Sequence, residues 1–310
     1  MGVFIRIAKT PKELDELFQL RHRVFAEQDR LAPLSPDGRL AGRFDAFPST
    51  VNLMAEQAGI VAGGVRLTRG IQAGDPARAY FDFNPFIQAQ HLNPDQVLFC
   101  SMLCVDPAFR GQQRLIQNLL LMTAYYAYHN GMSHLLAPVR PTVVKKLTGM
   151  GFRPIAETFT QAETGLVICP MALALGDLPE SFLRFIENQQ IHHYTENFER
   201  AFFEPGETVI HAGDKGREAY YIVDGSADVL VRQGEARRCV NQLGPGDLFG
   251  ELALLTEDAR SADVVATSPL DTMVLGRHWF QSHIMNNLDH VGALLRLMGG
   301  RLKKTLCQIH

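Results

Sequence analysis

One stretch near the C-terminus constrains the fold more than any other, the run from Asp247 to Leu255 followed by Arg260-Ser261-Ala262. Gly250 can adopt backbone angles that other residues avoid, and the apolar turn after it leaves several main-chain N–H groups pointing the same way, an arrangement that binds phosphate. Arg260 adds a planar, permanently charged guanidinium that fits two phosphate oxygens. Because a carboxylate beside a phosphate would repel it, Glu251 is better suited to accept a hydrogen bond from a sugar hydroxyl. This combination indicates a ribose that carries one phosphate charge.

These residues resemble the phosphate-binding cassette of the cyclic nucleotide-binding domain family, whose pattern F-G-E-[LI]-A-L with R-[STA]-A is matched from Phe249 to Ala262. The resemblance implies a β-roll with flanking helices that binds cAMP or cGMP as an allosteric ligand. It implies that Glu251 holds the ribose 2'-hydroxyl and that Arg260 holds the cyclic phosphate. The implied site comprises Leu248, Phe249, Gly250, Glu251, Leu252, Ala253, Arg260, Ser261 and Ala262.

Two alternatives at the cassette follow from the residues themselves. Glu251 and Arg260 could form only an ion pair, in a β-roll that has lost its ligand. Asp263 stands where the family often has threonine, and strand alternation predicts that its side chain faces away from Arg260.

The composition indicates a globular chain. Its 310 residues are 46% hydrophobic without low-complexity tracts, which predicts two domains. The net charge of −3 gives no general attraction to nucleic acid or anionic membranes, and no apolar run is long enough for a signal peptide or membrane span. We therefore expect a cytoplasmic protein without a nucleic-acid partner. The scattered cysteines and the single His192-His193 pair lack metal-site spacing, so we expect core thiols and no metal.

The N-terminal part alternates strands and helices in an order typical of a mixed α/β domain with at least one strand-helix-strand crossover. Loops are expected over 33–49 and 70–94. The predicted strands are 3–8, 51–56, 60–68, 99–105, 134–139 and 165–175, and the predicted helices begin at Thr10-Pro11, at 112 and at 141. Further helices are predicted over 178–200, 277–287 and 289–304.

The junction from Val105 to Leu115 joins a strand to a helix. A tight turn that opens a helix presents free amides to a phosphate, and Arg110 and Arg114 are four residues apart. This stretch resembles the acyl-donor motif of the GNAT acyltransferase superfamily, and Gly151-Phe152 matches the end of its later helix. Gln113 and Leu115 replace the two motif glycines, and Leu147 stands where these enzymes often carry tyrosine. The resemblance implies a donor, acyl-CoA or acyl carrier protein, bound by Val105, Arg110, Gly111, Gln112, Gln113, Arg114 and Leu115.

Four further blocks are similar to those of the acyl-homoserine-lactone synthases and related N-acyl amino acid synthases, which take acyl groups from acyl carrier protein. The blocks are Arg21 to Phe25, Asp45, Gly64 to Leu67 and Ser101 to Val105. By this resemblance Arg21, Phe25, Asp45 and Arg66 line the side of the site that holds a small-molecule amine. Met102 replaces the arginine of the family.

Acyl transfer from a thioester needs N–H groups that polarise the carbonyl and an unprotonated amine that attacks it. A bulge near Cys104 and Val105 would supply the N–H groups. Asp45, Glu56 and His134 are the candidate bases, and each is also explained as an ordinary surface or loop residue. Cys104 is the candidate nucleophile, although the sequence offers it no partner base.

The sequence thus predicts an α+β protein of two domains, a GNAT-like mixed α/β sheet domain over 1–177 and a cyclic nucleotide-binding β-roll with flanking helices over 178–310. The leading hypothesis is a cyclic-nucleotide-regulated N-acyltransferase with an amino-acid-like acceptor. One alternative is a protein lysine acetyltransferase that uses acetyl-CoA. Another is a catalytically inactive module that responds to the nucleotide. The resemblance also leaves a homodimer open.

Overall fold

The computed structural model describes residues 2–70, 81–111, 113–162, 165–178, 199–233 and 236–286, with scattered positions from 288 to 303. The chain divides into two units, one of Ile5–Phe198 and one of Met1–Phe4 with Glu199–His310. Most of the helix predicted over 178–200 lies outside the described residues, and Glu199 and Arg200 begin a strand instead. No helix in the described ranges is long and apolar enough to cross a bilayer.

The larger unit is built on a mixed sheet. Its strands are β1 Val3–Ile7, β2 Thr50–Gln57, β3 Ile60–Arg69, β4 Val97–Val105, β5 His134–Val139, β6 Arg153–Pro154, β7 Phe159–Thr160 and β8 Val167–Ala174. They follow the order β1-β2-β3-β4-β5-β8-β6, and β7 pairs with β8. β4 and β5 run parallel, whereas β2-β3, β3-β4 and β5-β8 are antiparallel. The predicted mixed α/β sheet is confirmed, and the short strands β6 and β7 are additions to it.

Four helices accompany this sheet: α1 Pro11–Arg21, α2 Asn84–Ala89, α3 Gln113–His129 and α4 Pro141–Thr148. The predicted start of α1 is confirmed, because the Thr10 hydroxyl accepts a hydrogen bond from Glu13 N while the Glu13 carboxylate accepts one from Thr10 N. After α1 the chain continues as a π-helix over His22–Gln28. α2 lies inside a predicted loop. Its formation follows from the burial of Phe83 and Ile87, four residues apart, in one apolar cluster.

Close packing of α1 on the sheet depends on a glycine in β3. A Cβ atom added at Gly64 would lie 2.4 Å from Leu17 Cδ1 and 2.9 Å from the main-chain oxygen of Leu53. Leu17 and Leu20 are completely buried in a cluster that includes Met54 and Cys104. The small residue in the strand therefore sets how near α1 lies, and with it the position of the residues that follow α1.

The smaller unit contains two antiparallel sheets with the strand orders β14-β11-β16-β9 and β10-β15-β12-β13. The strands are β9 Glu199–Phe203, β10 Thr208–Ile210, β11 Glu218–Asp224, β12 Ala227–Gln233, β13 Ala236–Leu243, β14 Leu248–Phe249, β15 Asp263–Ala266 and β16 Leu270–Gly276. Helix α5 spans Glu251–Thr256, and α6 Arg277–Trp279 continues as a π-helix over Phe280–Met285. Described positions beyond 287 are helical. The predicted β-roll with helices is confirmed.

Candidate functional site

An apolar cavity of about 240 Å³ lies in the larger unit where β4 and β5 separate. The two strands pair only from Val97 to Phe99 and from His134 to Leu136. Beyond these pairs the residues of both strands line the cavity, together with side chains from the π-helix segment, the loop after it and α4. The lining includes Phe25, Leu31, Leu40, Cys100, Ser101, Met102, Leu103, Ala137, Pro138, Arg140, Val143, Leu147, Phe152 and Ile168. Strand separation therefore creates the space, and apolar side chains make it suitable for a hydrocarbon chain.

β4 carries a bulge at the wall of this cavity. Gly64 is opposite Cys104 and Arg66 is opposite Ser101, so that two residues of β4 face one residue of β3. Met102 has a positive φ of 55°. A bulge leaves main-chain groups outside the ladder, and those at Met102 and Leu103 lie beside the cavity. The bulge was expected near Cys104 and Val105; it lies two residues earlier in β4, because both of these residues remain paired with β3.

A buried cluster of two arginines and one carboxylate stands next to the cavity. Arg21 donates from Nη1 to Asp45 Oδ1 at 2.8 Å and from Nη2 to Asn52 Oδ1 at 2.6 Å. Arg66 donates to Asp45 Oδ2 at 3.4 Å and to the Ser101 hydroxyl at 3.1 Å. Since Ser101 also lines the cavity, it connects the cavity to the charged cluster. Two cations thus share the Asp45 carboxylate.

The cluster gives Asp45 a different role from that of a base. Burial alone would raise the pKa of Asp45, but Arg21, Arg66 and the N–H of Gly42 together hold the pKa below its usual value. At neutral pH this carboxylate is an anion that orients the two arginines. Glu56, the second candidate base, accepts a hydrogen bond of 2.6 Å from Arg6 and is absent from the cavity lining.

Cys104 and His134 lie away from the cavity lining. Burial raises the pKa of Cys104 to about 11, so its thiol is protonated at neutral pH. Its Sγ donates to the main-chain oxygen of Gly64 at 3.7 Å. Burial lowers the pKa of His134, whose Nδ1 contacts the Ser133 hydroxyl at the start of β5. These surroundings are those of a core thiol and of a structural histidine.

The predicted donor loop connects β4 to α3 through a 3-10 turn at Pro107–Phe109. Arg110 precedes α3, so the helical spacing expected to align it with Arg114 does not apply. Leu115 has its side chain in the core, and only its main chain could contact a ligand. Gly111 and Arg114 are exposed. Gln112 and the side chain of Gln113 lie outside the described residues.

The predicted nucleotide cassette forms one wall of a cavity of about 220 Å³ in the smaller unit. Gly250 has a φ of 77°, which confirms the conformation expected from its sequence position, and Glu251 begins α5. Glu251 is buried, whereas Leu252 remains largely exposed. Of the predicted set, Phe249, Gly250, Glu251, Leu252, Ala253, Arg260, Ser261 and Ala262 line the cavity, and Leu248 does not.

Arg260 is held between two glycines. Its guanidinium donates to the main-chain oxygens of Gly250 and Glu218, both at 2.6 Å. A Cβ atom would lie 2.7 Å from Arg260 Nη1 at Gly250 and 2.1 Å from Arg260 Cζ at Gly216. The main-chain carbonyls accept hydrogen bonds from this cation, and the two glycines leave the space that it occupies at the cavity wall.

The expectation for Asp263 agrees with its contacts. Its Oδ1 accepts a hydrogen bond from Ala212 N at 2.8 Å, and its Oδ2 lies 3.5 Å from Arg237 Nε. Asp263 in β15 thus connects the segment after β10 to β13.

A family model described as N-acyl amino acid synthase FeeM matches residues 16–174, just over half of the chain. The chain belongs to this family. A second model, the cyclic nucleotide-binding domain, matches residues 200–287. The protein therefore joins a FeeM-type acyltransferase domain to a cyclic nucleotide-binding domain, as the resemblances predicted.

Individual relatives match parts of the FeeM-family chain. The cAMP-dependent protein kinase regulatory subunit of Mucor circinelloides f. lusitanicus is 39% identical over 98 residues, which cover 32% of this chain and 23% of that protein. The structure of FeeM from uncultured soil microbes has a TM-score of 0.48 and 13% identity and covers 63% of this chain and all of that one. The acyl-homoserine lactone synthase BjaI has a TM-score of 0.47 and 19% identity over 61% of this chain and 89% of that one.

Several residues at these sites were not predicted from the sequence. Asn52 and Ser101 complete the Arg21–Asp45–Arg66 cluster, and Glu218 and Gly216 complete the seat of Arg260. Asn52 alternates with apolar residues in β2, and a buried polar residue in such a strand is the only feature that could have marked it. Ser101 was part of a matched block without an assigned role.

Proposed function

We propose that the protein transfers an acyl group from a pantetheine thioester to the amine of an amino-acid-like acceptor, and that cAMP or cGMP bound to the β-roll regulates this transfer. The observation that carries the proposal is the apolar cavity between β4 and β5, bounded by the bulge at Met102 and by the Arg66–Ser101 contact. One end of this arrangement suits a hydrocarbon chain, and the other suits a polar, anionic acceptor.

In the proposed reaction the acceptor nitrogen attacks the thioester carbonyl carbon. The C–S bond breaks as the C–N bond forms, and the proton lost by nitrogen ends on the sulphur of the released thiol. N–H groups at the bulge of β4 would stabilise the negative charge that develops on the carbonyl oxygen. Because two arginines hold Asp45 as an anion, it is a poor proton acceptor. The amine must therefore arrive unprotonated to attack the thioester.

The charged cluster supports an acceptor that carries a carboxylate. Arg21 and Arg66 both donate to Asp45, and the cluster reaches the cavity through Ser101. A carboxylate bound near Ser101 would lie beside the Arg66 guanidinium, which donates to the Ser101 hydroxyl, and would gain a charge-assisted hydrogen bond. Such an acceptor agrees with the amino acid named in the matched family model. The protein-lysine alternative has no comparable support, because a lysine side chain brings a cation and no carboxylate.

The β-roll supports a regulatory ligand with a ribose and one phosphate charge. Arg260 and Glu251 line one cavity with the main chain of α5 between them. The cAMP-dependent kinase regulatory subunit named above is a relative of this part of the chain. A coupling free energy of about 1–3 kcal/mol between the two ligands would be an ordinary allosteric magnitude.

Thiol release with defined donors and acceptors tests the enzymatic part. We expect thiol release from long-chain acyl-CoA or acyl carrier protein with free amino acids, and less with the corresponding amino acid amides, which lack the carboxylate. Substitution of Ala137, which lines the cavity, by leucine should favour shorter acyl chains by about tenfold. Absence of thiol release with every donor and acceptor would refute the proposed activity.

Calorimetric titration with cAMP and cGMP tests the regulatory part. We expect one nucleotide to bind and to change the rate of thiol release by at least severalfold. If neither nucleotide produces heat at millimolar concentration, the β-roll is not a nucleotide sensor. If a nucleotide binds without any effect on turnover, the allosteric part of the proposal fails.

A further inference from the structure

Asp29 brings together two arginines from distant parts of the larger unit. Arg110, in the turn before α3, donates from Nη2 to Asp29 Oδ1 at 3.3 Å. Arg140, the residue before α4, has its Nη1 3.0 Å from Asp29 Oδ2. Asp29 itself follows the π-helix His22–Gln28 and has only 14% of its side chain exposed, against 47% for Arg110 and 41% for Arg140. One enclosed carboxylate thus holds two half-exposed guanidinium groups.

These three residues stand where the cavity meets the predicted donor loop. Arg140 lines the cavity, and so does Leu31, two residues after Asp29. Arg110 also donates from Nε to the main-chain oxygen of Val105 at 3.4 Å, at the end of β4. A thioester whose acyl chain fills the cavity would therefore pass its pantetheine arm toward these charges.

We infer that Arg110 and Arg140 form the binding site for the phosphate carried by the pantetheine arm of the donor, and that Asp29 occupies this site until the donor displaces it. The inference rests on the proposed acyl transfer and assigns roles to Asp29 and Arg140, neither of which the sequence singled out. CoA and the prosthetic group of an acyl carrier protein both present a phosphate ester at this position.

Charge and shape both favour the exchange of Asp29 for phosphate. Within the described part of the chain, Asp29 is the one carboxylate that forms a salt bridge with Arg110 and Arg140, so two guanidinium groups share a single negative charge there. The diphosphate of CoA presents more non-bridging acceptor oxygens and one more negative charge than a carboxylate, and its oxygens match the fork of an arginine side chain. Because Asp29 is tethered to the chain, it competes with the donor at every donor concentration, and the apparent affinity equals the intrinsic affinity multiplied by the fraction of protein in which Asp29 has left the arginines.

Calorimetric titration of the full chain with CoA tests this competition. Asp29→Asn removes the competing charge at nearly constant shape, and we expect the Kd for CoA to fall by about tenfold. Arg140→Gln should raise this Kd by about tenfold, because a charged hydrogen bond to phosphate is lost. When Arg140→Gln is already present, Asp29→Asn should lower the Kd for CoA by a much smaller factor, since the two side chains act on the same site.

Two controls separate the phosphate contact from a structural effect. Pantetheine, which has no phosphate, should bind the parent protein and all variants equally. Arg153→Gln removes the exposed pair between Arg153 and Asp177 and should leave the Kd for CoA unchanged. If the pair of Asp29 with the arginines were only structural, Asp29→Asn would weaken the binding of both CoA and holo acyl carrier protein or leave both unchanged, and either result overturns the inference. Arg140→Lys replaces Arg140→Gln if the latter does not fold, and it should weaken binding less.

Holo acyl carrier protein, titrated in parallel, distinguishes the two sources of the phosphate. If Asp29→Asn and Arg140→Gln change the affinity for the carrier protein and not for CoA, the site belongs to the carrier-protein donor. Thiol release by the parent protein separates this inference from the proposed function. Turnover with Kd values that do not respond to Asp29→Asn refutes the inference alone. Changed Kd values without turnover refute the proposed activity alone. If neither CoA nor the carrier protein binds to the parent protein or to Asp29→Asn, the inference fails.

Discussion

The nucleotide cavity and the acyl-transfer site are assembled in different ways. The residues that define the nucleotide cavity, from Gly250 to Arg260, lie within one short segment of the chain, and Arg260 is held by main-chain oxygens. The second takes Arg21, Asp45, Arg66 and Ser101 from separate elements, and each of them is held by another side chain. A site fixed by the main chain tolerates substitution of its neighbours, whereas a site fixed by side chains depends on every member.

The largest effect is expected at the side-chain-held site. Arg21→Gln removes the closer of the two cations at the buried Asp45 and the charged donor to Asn52, and we expect the free energy of unfolding to fall by about 3–5 kcal/mol. Urea denaturation measures the change. Arg39→Gln, which breaks a pair with Asp15 at the surface, is the control and should cost less than about 1 kcal/mol. Equal losses in both variants would show that the buried cluster is not a structural unit.

Arg260→Gln should affect ligand binding more than folding. The Kd for the cyclic nucleotide should rise by about 100-fold, because a buried phosphate loses a charged partner worth about 2–3 kcal/mol. The carbonyls of Gly250 and Glu218 lose one donor each, which should lower stability by about 1–2 kcal/mol. Calorimetry and thermal unfolding measure the two quantities. Arg232→Gln, on the exposed part of β12, is the matched control, and a Kd unchanged by Arg260→Gln would remove the phosphate role of this residue.

Gly216→Ala tests the main-chain seat of Arg260 without removing any charge. The new Cβ would meet the guanidinium at 2.1 Å, so the arginine must move at a cost of about 1–3 kcal/mol. We expect nucleotide affinity to fall by about tenfold in calorimetry. Gly244→Ala is the control, because a Cβ at Gly244 has no neighbour within 4 Å. If both alanine variants bind equally well, the position of Arg260 does not depend on the gap at Gly216.

The same contrast explains what the sequence could predict. The αL conformation of Gly250 and the start of α1 at Thr10-Pro11 depend on a few neighbouring residues, and both were predicted. The helix α2 and the contact of Asp29 with Arg140 were not, since burial against distant residues and pairing across separate elements leave no local pattern. The bulge was placed two residues late because its position is set by the pairing of β4 with β3.

Family resemblance supplied the names of Arg21, Asp45 and Arg66 but not their environment. Arg21 is completely buried and Arg66 almost so, and both are engaged with Asp45. From the resemblance alone, these residues were expected to line the side of the site that binds the acceptor. The structure places Ser101 and Phe25 at the cavity and the arginines behind Ser101, because the long side chains are folded onto a carboxylate from the loop before β2.

Glu13 combines both kinds of contact and should give the smallest effect. Its carboxylate accepts hydrogen bonds from Thr10 N and Lys9 N, which are local, and from Arg6, which lies in β1. Burial alone would raise the pKa of Glu13, but Arg6 and the two N–H groups lower it to about 2. A lowered pKa stabilises the folded state above the unfolded pKa of about 4.5, and this contribution is lost as the pH falls toward 2.

We therefore expect Glu13→Gln to lower the free energy of unfolding by about 1–2 kcal/mol at pH 7, and by progressively less between pH 4.5 and pH 2. Urea denaturation across this range measures the difference from the parent protein. Glu16→Gln, which breaks only the exposed pair with Lys12, serves as the control. A difference that stays constant down to pH 2 would mean that the charge of Glu13 contributes nothing and that the loss comes from hydrogen bonds which glutamine does not reproduce. Arg6→Gln then separates the contribution of the ion pair from that of the cap, because it removes the distant partner of Glu13 and leaves the local N–H groups of the cap in place.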